Sequence, residues 1–497
     1  MSLREKAAKG IAWSVVHKWG RAVVSIATFV ALSRLLPPEA FGLVALACVF
    51  TAFVEVFLDQ GLGAAVVQCP DLEAEHLDTA FWISVLTGVV LMLGGMLASG
   101  AVAAVFGEPQ LSPVLKWLSV SFVFSALSST QIAILQRDLA FRVLAVRSLV
   151  AKTLGGVVGL AMAFAGCGVW SLVGQHLVDG VAGVLVLWTA SAWRPGLRVS
   201  RTRYRTMVSF GAAVVGNNAL NHLLRKSDDF LIGYYLGPAM LGYYAVGYRL
   251  LMLLTRSVTG ITNSVAFPMF SRIQDDPERM RRAFYRVTQY TSLLAFPVFT
   301  AAAVLAPELV PVCFGEQWTP SIPVMQILAF MGILQSVLFF NGTVIRASGK
   351  PLWELGIMLL NAVANVLGFL AVVRFGIVAV AVSLVVTSYL LAPVSVLAVR
   401  RLIGIRLTDY LKLYAMPTAA SLAAAMLVLG LKTVLAGPDL ALYFRLPVYF
   451  IAGAITYVLV LVIAAPSLSR QVVELARMAP EWRWKQGRRY ATDTQTD

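Results

Sequence analysis

The chain has 497 residues, of which 59% are hydrophobic and only 13% charged, with a formal net charge of +15. A soluble chain of this length carries about 25% charged residues and divides into several domains, so a water-soluble enzyme or cytosolic binding protein is excluded. Nor does the basic balance indicate a nucleic-acid partner, because Lys and Arg collect at the ends of apolar runs, as topology signals do.

About fourteen such runs, each near the ~20 residues needed to cross a bilayer, follow one another along the chain. They fall near 11–36, 41–66, 79–105, 113–135, 143–165, 169–192, 207–236, 241–268, 284–306, 321–345, 352–373, 376–399, 410–436 and 446–465. This predicts an all-α polytopic membrane protein. The first run is not expected to be a removable signal, since His17, Lys18 and Arg21 interrupt what would be its apolar core. Arg4, Lys6 and Lys9 precede it. Arg194, Arg198, Arg201, Arg203 and Arg205 follow the sixth run, and Arg272, Arg279, Arg281, Arg282 and Arg286 follow the eighth. Arg400, Arg401, Arg406 and Lys412 follow the twelfth, and the tail adds six more from Arg470 to Arg489. The bias predicts an even number of spans with both termini in the cytoplasm. Cys48, Cys69, Cys167 and Cys313 show no paired spacing for a metal or redox site.

An internal repeat is visible at an offset of 200 residues. Leu36-Pro37-Pro38-Glu39-Ala40-Phe41-Gly42 through Ala45 parallels Leu236-Gly237-Pro238-Ala239-Met240-Leu241-Gly242 through Ala245. Each copy sits between the first and second spans of a six-span half, and parallel repeats of this kind place a transport path between the halves. The expected division is a first lobe at 1–200, a second at 201–405, two further helices at 406–466 and a basic cytoplasmic tail at 467–497. The tail's Trp482 and Trp484 alternate with Arg483 and Lys485, a pattern suited to a membrane interface, as it is to a solvated tail.

Ionisable groups inside apolar spans are costly and mark polar cavities. In the seventh span, Asn217, Asn218, Asn221, His222, Arg225, Asp228 and Asp229 form one helical stripe, and Ser14, His17, Lys18, Arg21, Ser25 and Thr28 form its counterpart in the first. Glu55 and Asp59 are four apart on the second span, Arg249 and Arg256 seven apart on the eighth, and Lys152 lies in the fifth. The candidate substrate-binding residues are therefore Arg21, Lys152, Arg225, Arg249, Arg256, Asn218 and Asn221. Glu55, Asp59, Asp228 and Asp229 are the candidates for ion coupling or charge pairing. The excess of cations suits an anionic substrate, because Arg offers a fixed fork to phosphate oxygens. The competing reading is structural: Arg–Asp pairs that lock helices together, and long cations that snorkel to the surface. No glycine-rich phosphate loop, HExxH or nucleotide-binding domain is present, so no cofactor, metal or enzymatic constellation is expected.

Several segments in order resemble the polysaccharide transporters of the multidrug/oligosaccharidyl-lipid/polysaccharide exporter superfamily. They are Lys6-Ala7-Ala8-Lys9-Gly10-Ile11-Ala12-Trp13-Ser14, Arg34 to Gly42, Asp59-Gln60-Gly61-Leu62-Gly63 and Gly168-Val169-Trp170-Ser171-Leu172-Val173. Asp228 to Gly233, Leu241-Gly242-Tyr243-Tyr244, Phe267-Pro268, Asp276-Pro277-Glu278-Arg279 and Gly315-Glu316-Gln317-Trp318 continue the likeness. It is nearest to the Wzx-type lipopolysaccharide, colanic acid and teichuronic acid exporter branch. The resemblance implies two six-helix lobes around a central cavity, plus two C-terminal helices. It also implies a flippase for undecaprenyl-diphosphate-linked glycan in the bacterial inner membrane, working beside a polysaccharide polymerase and export machinery. Arg and Asp on the first and seventh helices line the cavity in that family, which matches Arg21, Arg225 and Asp228 or Asp229. The alternatives are an ion-coupled multidrug antiporter of the same superfamily, which favours an acidic cavity, and a flippase for the peptidoglycan-precursor lipid. An enzyme such as a polymerase or ligase needs sizeable outer loops, and the longest here, near Pro307–Pro320, is short.

Overall fold

A bilayer core offers no water to backbone N–H and C=O groups, so an apolar chain must satisfy them within each segment, as helices do. The computed structural model describes residues 3–58, 62–68, 72–200, 226–435 and 442–466, and among these every regular element is helical. In chain order the helices are α1 (Leu3–Leu35), α2 (Pro38–Leu58), α3 (Leu62–Gln68), α4 (Ala74–Phe106), α5 (Leu111–Ser119), α6 (Ser121–Arg137), α7 (Phe141–Phe164) and α8 (Trp170–Ala190). There follow α9 (Ser227–Arg272), α10 (Pro277–Phe314), α11 (Ser321–Ala347), α12 (Pro351–Val372), α13 (Ile377–Ile403), α14 (Leu407–Val434) and α15 (Leu442–Ala464). Among the described residues, eleven helical segments are long and apolar enough to cross a membrane. The chain is a multi-pass membrane protein.

Two details differ from the simplest reading of the apolar runs. The fourth run spans Leu111–Arg137 as one membrane segment whose regular helix is interrupted at Val120, between α5 and α6. The seventh and eighth runs meet in α9, which kinks at Gly237 (φ 82°, ψ 175°). Only glycine adopts that backbone without strain, so the chain can turn back there in a single residue.

The chain divides into two compact units. The first comprises Met1–Val246, Cys313–Pro320 and Val366–Val380, and the second Gly247–Val312, Ser321–Asn365 and Ala381–Asp497. Within the first unit, α1, α7 and α8 are held close by glycine. A Cβ at Gly155 or Gly159 would press on the backbone or Gln175 side chain of α8, and one at Gly156 on Thr28 of α1. Small residues spaced in this way let helices approach in lipid, where no hydrophobic force drives them together.

The two repeat turns also meet in this unit. A Cβ added at Gly42 would collide with the carbonyl of Pro238, and one at Gly242 with the carbonyl of Pro38. The contact is reciprocal between positions 200 apart, so the sequence repeat is a structural one. Beside it, the indole N–H of Trp318 donates to the Ser33 carbonyl at 2.8 Å, and Gln317 Nε2 donates to the Ser33 and Leu36 carbonyls. These bonds satisfy carbonyls that the end of α1 leaves without helical partners. Trp318 is fully buried and packs edge-on against Phe41 and Tyr243.

In the second unit α10 carries Pro297, Pro307 and Pro311. Proline cannot donate to the carbonyl four residues back. The Leu293 carbonyl freed by Pro297 accepts from Tyr457 Oη of α15 at 2.7 Å, and the Ala303 carbonyl freed by Pro307 accepts from Gln326 Nε2 of α11 at 3.1 Å. Lys432 of α14 donates to the Val304 carbonyl at 2.6 Å and to Glu308 at 2.7 Å. Phe284 stacks on Tyr410, and Phe296 on Tyr414. The last two helices are thus fastened along α10.

Candidate functional site

The first unit gathers ionisable side chains from four helices. Lys152 on α7 pairs with Asp179 on α8, Nζ to Oδ2 at 2.5 Å, with about a quarter of each side chain exposed. The close approach of α7 and α8 at Gly155, whose missing Cβ leaves room for Asp179, makes that pairing geometrically available. Lys152 lies eleven residues from the start of a 24-residue helix, about 16 Å along an axis of about 36 Å, hence near mid-depth.

Around this pair stand three more charged or titratable groups. His176, one turn before Asp179, is exposed and lies in the electrostatic field of Lys152, Asp179 and Glu55. Arg147 is half-buried, feels both Asp179 and Arg21, and its Nε is buried without a hydrogen-bond partner. Gly183 of α8 opens the space its guanidinium occupies. Glu55 on α2 is exposed and accepts a bond from Ser125 Oγ of α6 at 3.1 Å. Three fixed cations, Arg21, Arg147 and Lys152, therefore share a region with two carboxylates, Glu55 and Asp179. The arrangement carries a net positive charge and a guanidinium with an unused donor, and can accept an anionic oxygen.

A second polar group lies at the start of α9. Both oxygens of Asp228 are occupied: Oδ1 accepts from the Asp229 backbone N–H at 2.9 Å and Oδ2 from the Tyr244 hydroxyl at 3.0 Å. Asp229 pairs with Lys226. Both carboxylates occupy the first turn of their helix, where the helix dipole favours negative charge. Of the other candidates, Arg249 and Arg256 are exposed on α9 within the second unit. Asp59, Asn218, Asn221 and Arg225 lie outside the described residues.

The structure brings Arg21, Glu55 and Lys152 into one neighbourhood, and adds Ser125, Arg147, His176 and Asp179, which sequence reasoning passed over. The signal for three of them was present. Arg147, His176 and Asp179 are ionisable groups inside apolar runs, the same criterion that selected Lys152. Among the described residues no group of His, Cys, Asp and Glu could hold a metal ion, and Cys48, Cys167 and Cys313 are in no disulfide.

A helical membrane bundle with paired charges at mid-depth has the form of a transporter. Residues 31–323, more than half of the chain, match the family model described as polysaccharide biosynthesis protein. The chain belongs to that family. It is 24% identical over 494 residues to the teichuronic acid biosynthesis protein TuaB of Bacillus subtilis (strain 168), covering 96% of this chain and 100% of that one. It is 29% identical over 327 residues to the succinoglycan biosynthesis transport protein ExoT of Rhizobium meliloti (strain 1021), covering 66% of each. Its fold matches that of the lipid II flippase MurJ in an inward closed conformation, with a TM-score of 0.74 at 12% identity over 92% of this chain and 99% of that one.

Proposed function

We propose that the protein moves undecaprenyl-diphosphate-linked oligosaccharide repeat units across the bacterial inner membrane, from the cytoplasmic to the periplasmic leaflet, for surface-polysaccharide biosynthesis. The observation that carries this reading is the cationic excess of Arg21, Arg147 and Lys152 around Glu55 and Asp179, within apolar spans, in a member of a polysaccharide biosynthesis family. The diphosphate is the part of such a substrate least able to cross hydrocarbon. A hydrated region with Arg donors replaces its water, while the sugars fill the wet space and the polyprenyl tail stays in lipid. In this reading Arg225 joins Arg21 at the diphosphate, Asn218 and Asn221 line the sugar path, and Arg249 and Arg256 are further candidates for substrate binding. Glu55, Asp59, Asp179, Asp228 and Asp229 offset the cations or couple an ion. A basic region favours this over an antiporter for cationic drugs. A periplasmic polymerase and export machinery would take up the flipped glycan.

Transport proceeds by alternating access between a first lobe at 1–200 and a second at 201–405, with both termini cytoplasmic. The Gly42–Gly242 crossing, sealed by Trp318, acts as the periplasmic gate. Reporter fusions after Ser200 and after Asp497 should both report cytoplasm, and a periplasmic signal from either overturns the orientation. A disulfide between Pro38→Cys and Pro238→Cys should abolish export reversibly. Full export by the verified cross-linked protein would remove the gate from this turn.

The decisive test is complementation of a polysaccharide-export defect, with membrane levels of each variant measured. Arg21→Ala, Arg147→Ala and Arg225→Ala should each lose export, and Arg225→Lys should retain part of it, because lysine keeps the charge but not the fork. Wild-type export by all three alanine variants would place the diphosphate elsewhere.

A further inference from the structure

A second site lies on the second unit, on two helices that carry none of the site residues described above. Trp353, Gly356, Ile357 and Leu360 occupy one face of α12, at positions i, i+3, i+4 and i+7. Val394, Leu397, Ala398 and Arg401 occupy one face of α13 at the same spacing. Between the two faces is an open cavity of about 410 Å³, apolar for most of its length. Gly356 keeps it open, since a Cβ there would meet nothing.

The cavity has a polar end. Trp353 stands at the start of α12 and Arg401 in the last turn of α13, so both mark the same end of the groove. Arg401 is exposed and forms no ion pair among the described residues. Lys350 and Arg400 are exposed within one turn of this end. Of the carboxylates near this end, Glu354 is already bonded to Arg346 at 2.8 Å, and Asp275 lines a separate cavity with Ser348, Gly349, Leu402 and Ile403. An apolar trough that opens sideways and ends in an unpaired guanidinium beside a tryptophan has the form of a lipid site at a membrane interface.

We propose that this groove binds an anionic glycerophospholipid. Its acyl chain fills the trough between α12 and α13, and its phosphate sits on Arg401 with Lys350 and Arg400 around it. Basic pockets between transmembrane helices on the cytoplasmic side recognise anionic headgroups in this manner. The cytoplasmic side follows from the orientation proposed above, and phospholipid binding itself does not depend on what the protein transports.

The test uses the purified full-length protein in detergent, titrated with phosphatidylglycerol or phosphatidylcholine and read by native mass spectrometry. Phosphatidylglycerol should bind about fivefold more tightly than phosphatidylcholine, the ratio expected for one cation at an anionic headgroup. Arg401→Ala should erase that preference and Arg401→Lys should keep most of it. Gly356→Leu fills the trough and should eliminate tight binding of both lipids. It replaces a helical glycine with a better helix former, so the fold is not put at risk. Equal binding of the two lipids by the wild type, or wild-type phosphatidylglycerol binding by Gly356→Leu, overturns the proposal. Displacement of bound phosphatidylglycerol by equimolar undecaprenyl diphosphate would also overturn it, assigning the groove to a polyprenyl tail. None of these readouts involves export, so their failure leaves the transport reading untouched.

Discussion

Helices α1, α7 and α8 of the first unit and α10, α14 and α15 of the second face the same problem, polar groups in a nonaqueous setting, and solve it differently. In the second unit the carbonyls that Pro297 and Pro307 free are met by Tyr457 and Gln326, and Lys432 is paired with Glu308 and donates to the Val304 carbonyl. In the first unit glycine brings the helices together, and the charged groups between them exceed their mutual needs. Asp179 is one carboxylate beside Lys152, Arg147 and His176, and the Arg147 Nε has no partner. Saturated polar groups fasten helices; unsaturated ones are free to act.

That distinction breaks most sharply at Lys152. Lys152→Ala leaves Asp179 without its bonded cation, and removing one member of such a pair costs about 3–5 kcal/mol when fully buried. The pair here is about a quarter exposed, so water screens part of that cost. Export should fall by more than about tenfold while the protein still inserts. The charge-reversed double variant, Lys152→Asp with Asp179→Lys, separates fastening from function. If the pair only locks α7 to α8, the reversal restores both thermal stability and export. If the cation serves an anionic substrate, the reversal restores stability and leaves export low, which is the expected outcome.

A smaller effect sharpens the other half of the comparison. Tyr457→Phe removes the hydroxyl that holds the Leu293 carbonyl, leaving a buried acceptor unmet at a cost of about 1–3 kcal/mol. The detergent-solubilised protein should unfold at lower temperature, while export per inserted molecule at a permissive temperature stays as in the wild type. A selective loss of export with unchanged thermal stability would show that α15 does more than fasten.

The fold was legible because the bilayer leaves one solution to the backbone: runs of apolar residues must be helices, and their basic ends suggest an orientation. The repeat at Pro38 and Pro238 was legible too, because Gly42 and Gly242 are fixed by close backbone approach and leave a trace at the same offset. The site was legible only in part. Arg21, Glu55 and Lys152 could be chosen as charges out of place, but Asp179 as the partner of Lys152 could not. That partnership depends on α7 and α8 meeting at Gly155, a tertiary fact without local periodicity. In the other direction, Asp228 and Asp229 read as members of a polar stripe, and the structure adds that they start a helix and are engaged by Tyr244 and Lys226. A charge in an apolar run identifies a cost, and only the packing shows what meets it.

The smallest expected effect lies at Gln326. Its amide donates to the Ala303 carbonyl at 3.1 Å, across from the proline that freed it, and the side chain is half-buried. Gln326→Leu preserves most of the volume and removes the donor. This bond is longer and less buried than the one from Tyr457 to Leu293, so the cost should be about 1 kcal/mol, below that of Tyr457→Phe. A double variant, Gln326→Leu with Pro307→Ala, supplies the test of cause. Alanine restores a backbone N–H at position 307 that can bond the Ala303 carbonyl within the helix, making the glutamine dispensable. The double variant should therefore recover the thermal stability that Gln326→Leu loses. If Pro307→Ala leaves the loss unchanged, Gln326 stabilises α10 by packing alone, and the role assigned to it as a proline-relief donor is wrong.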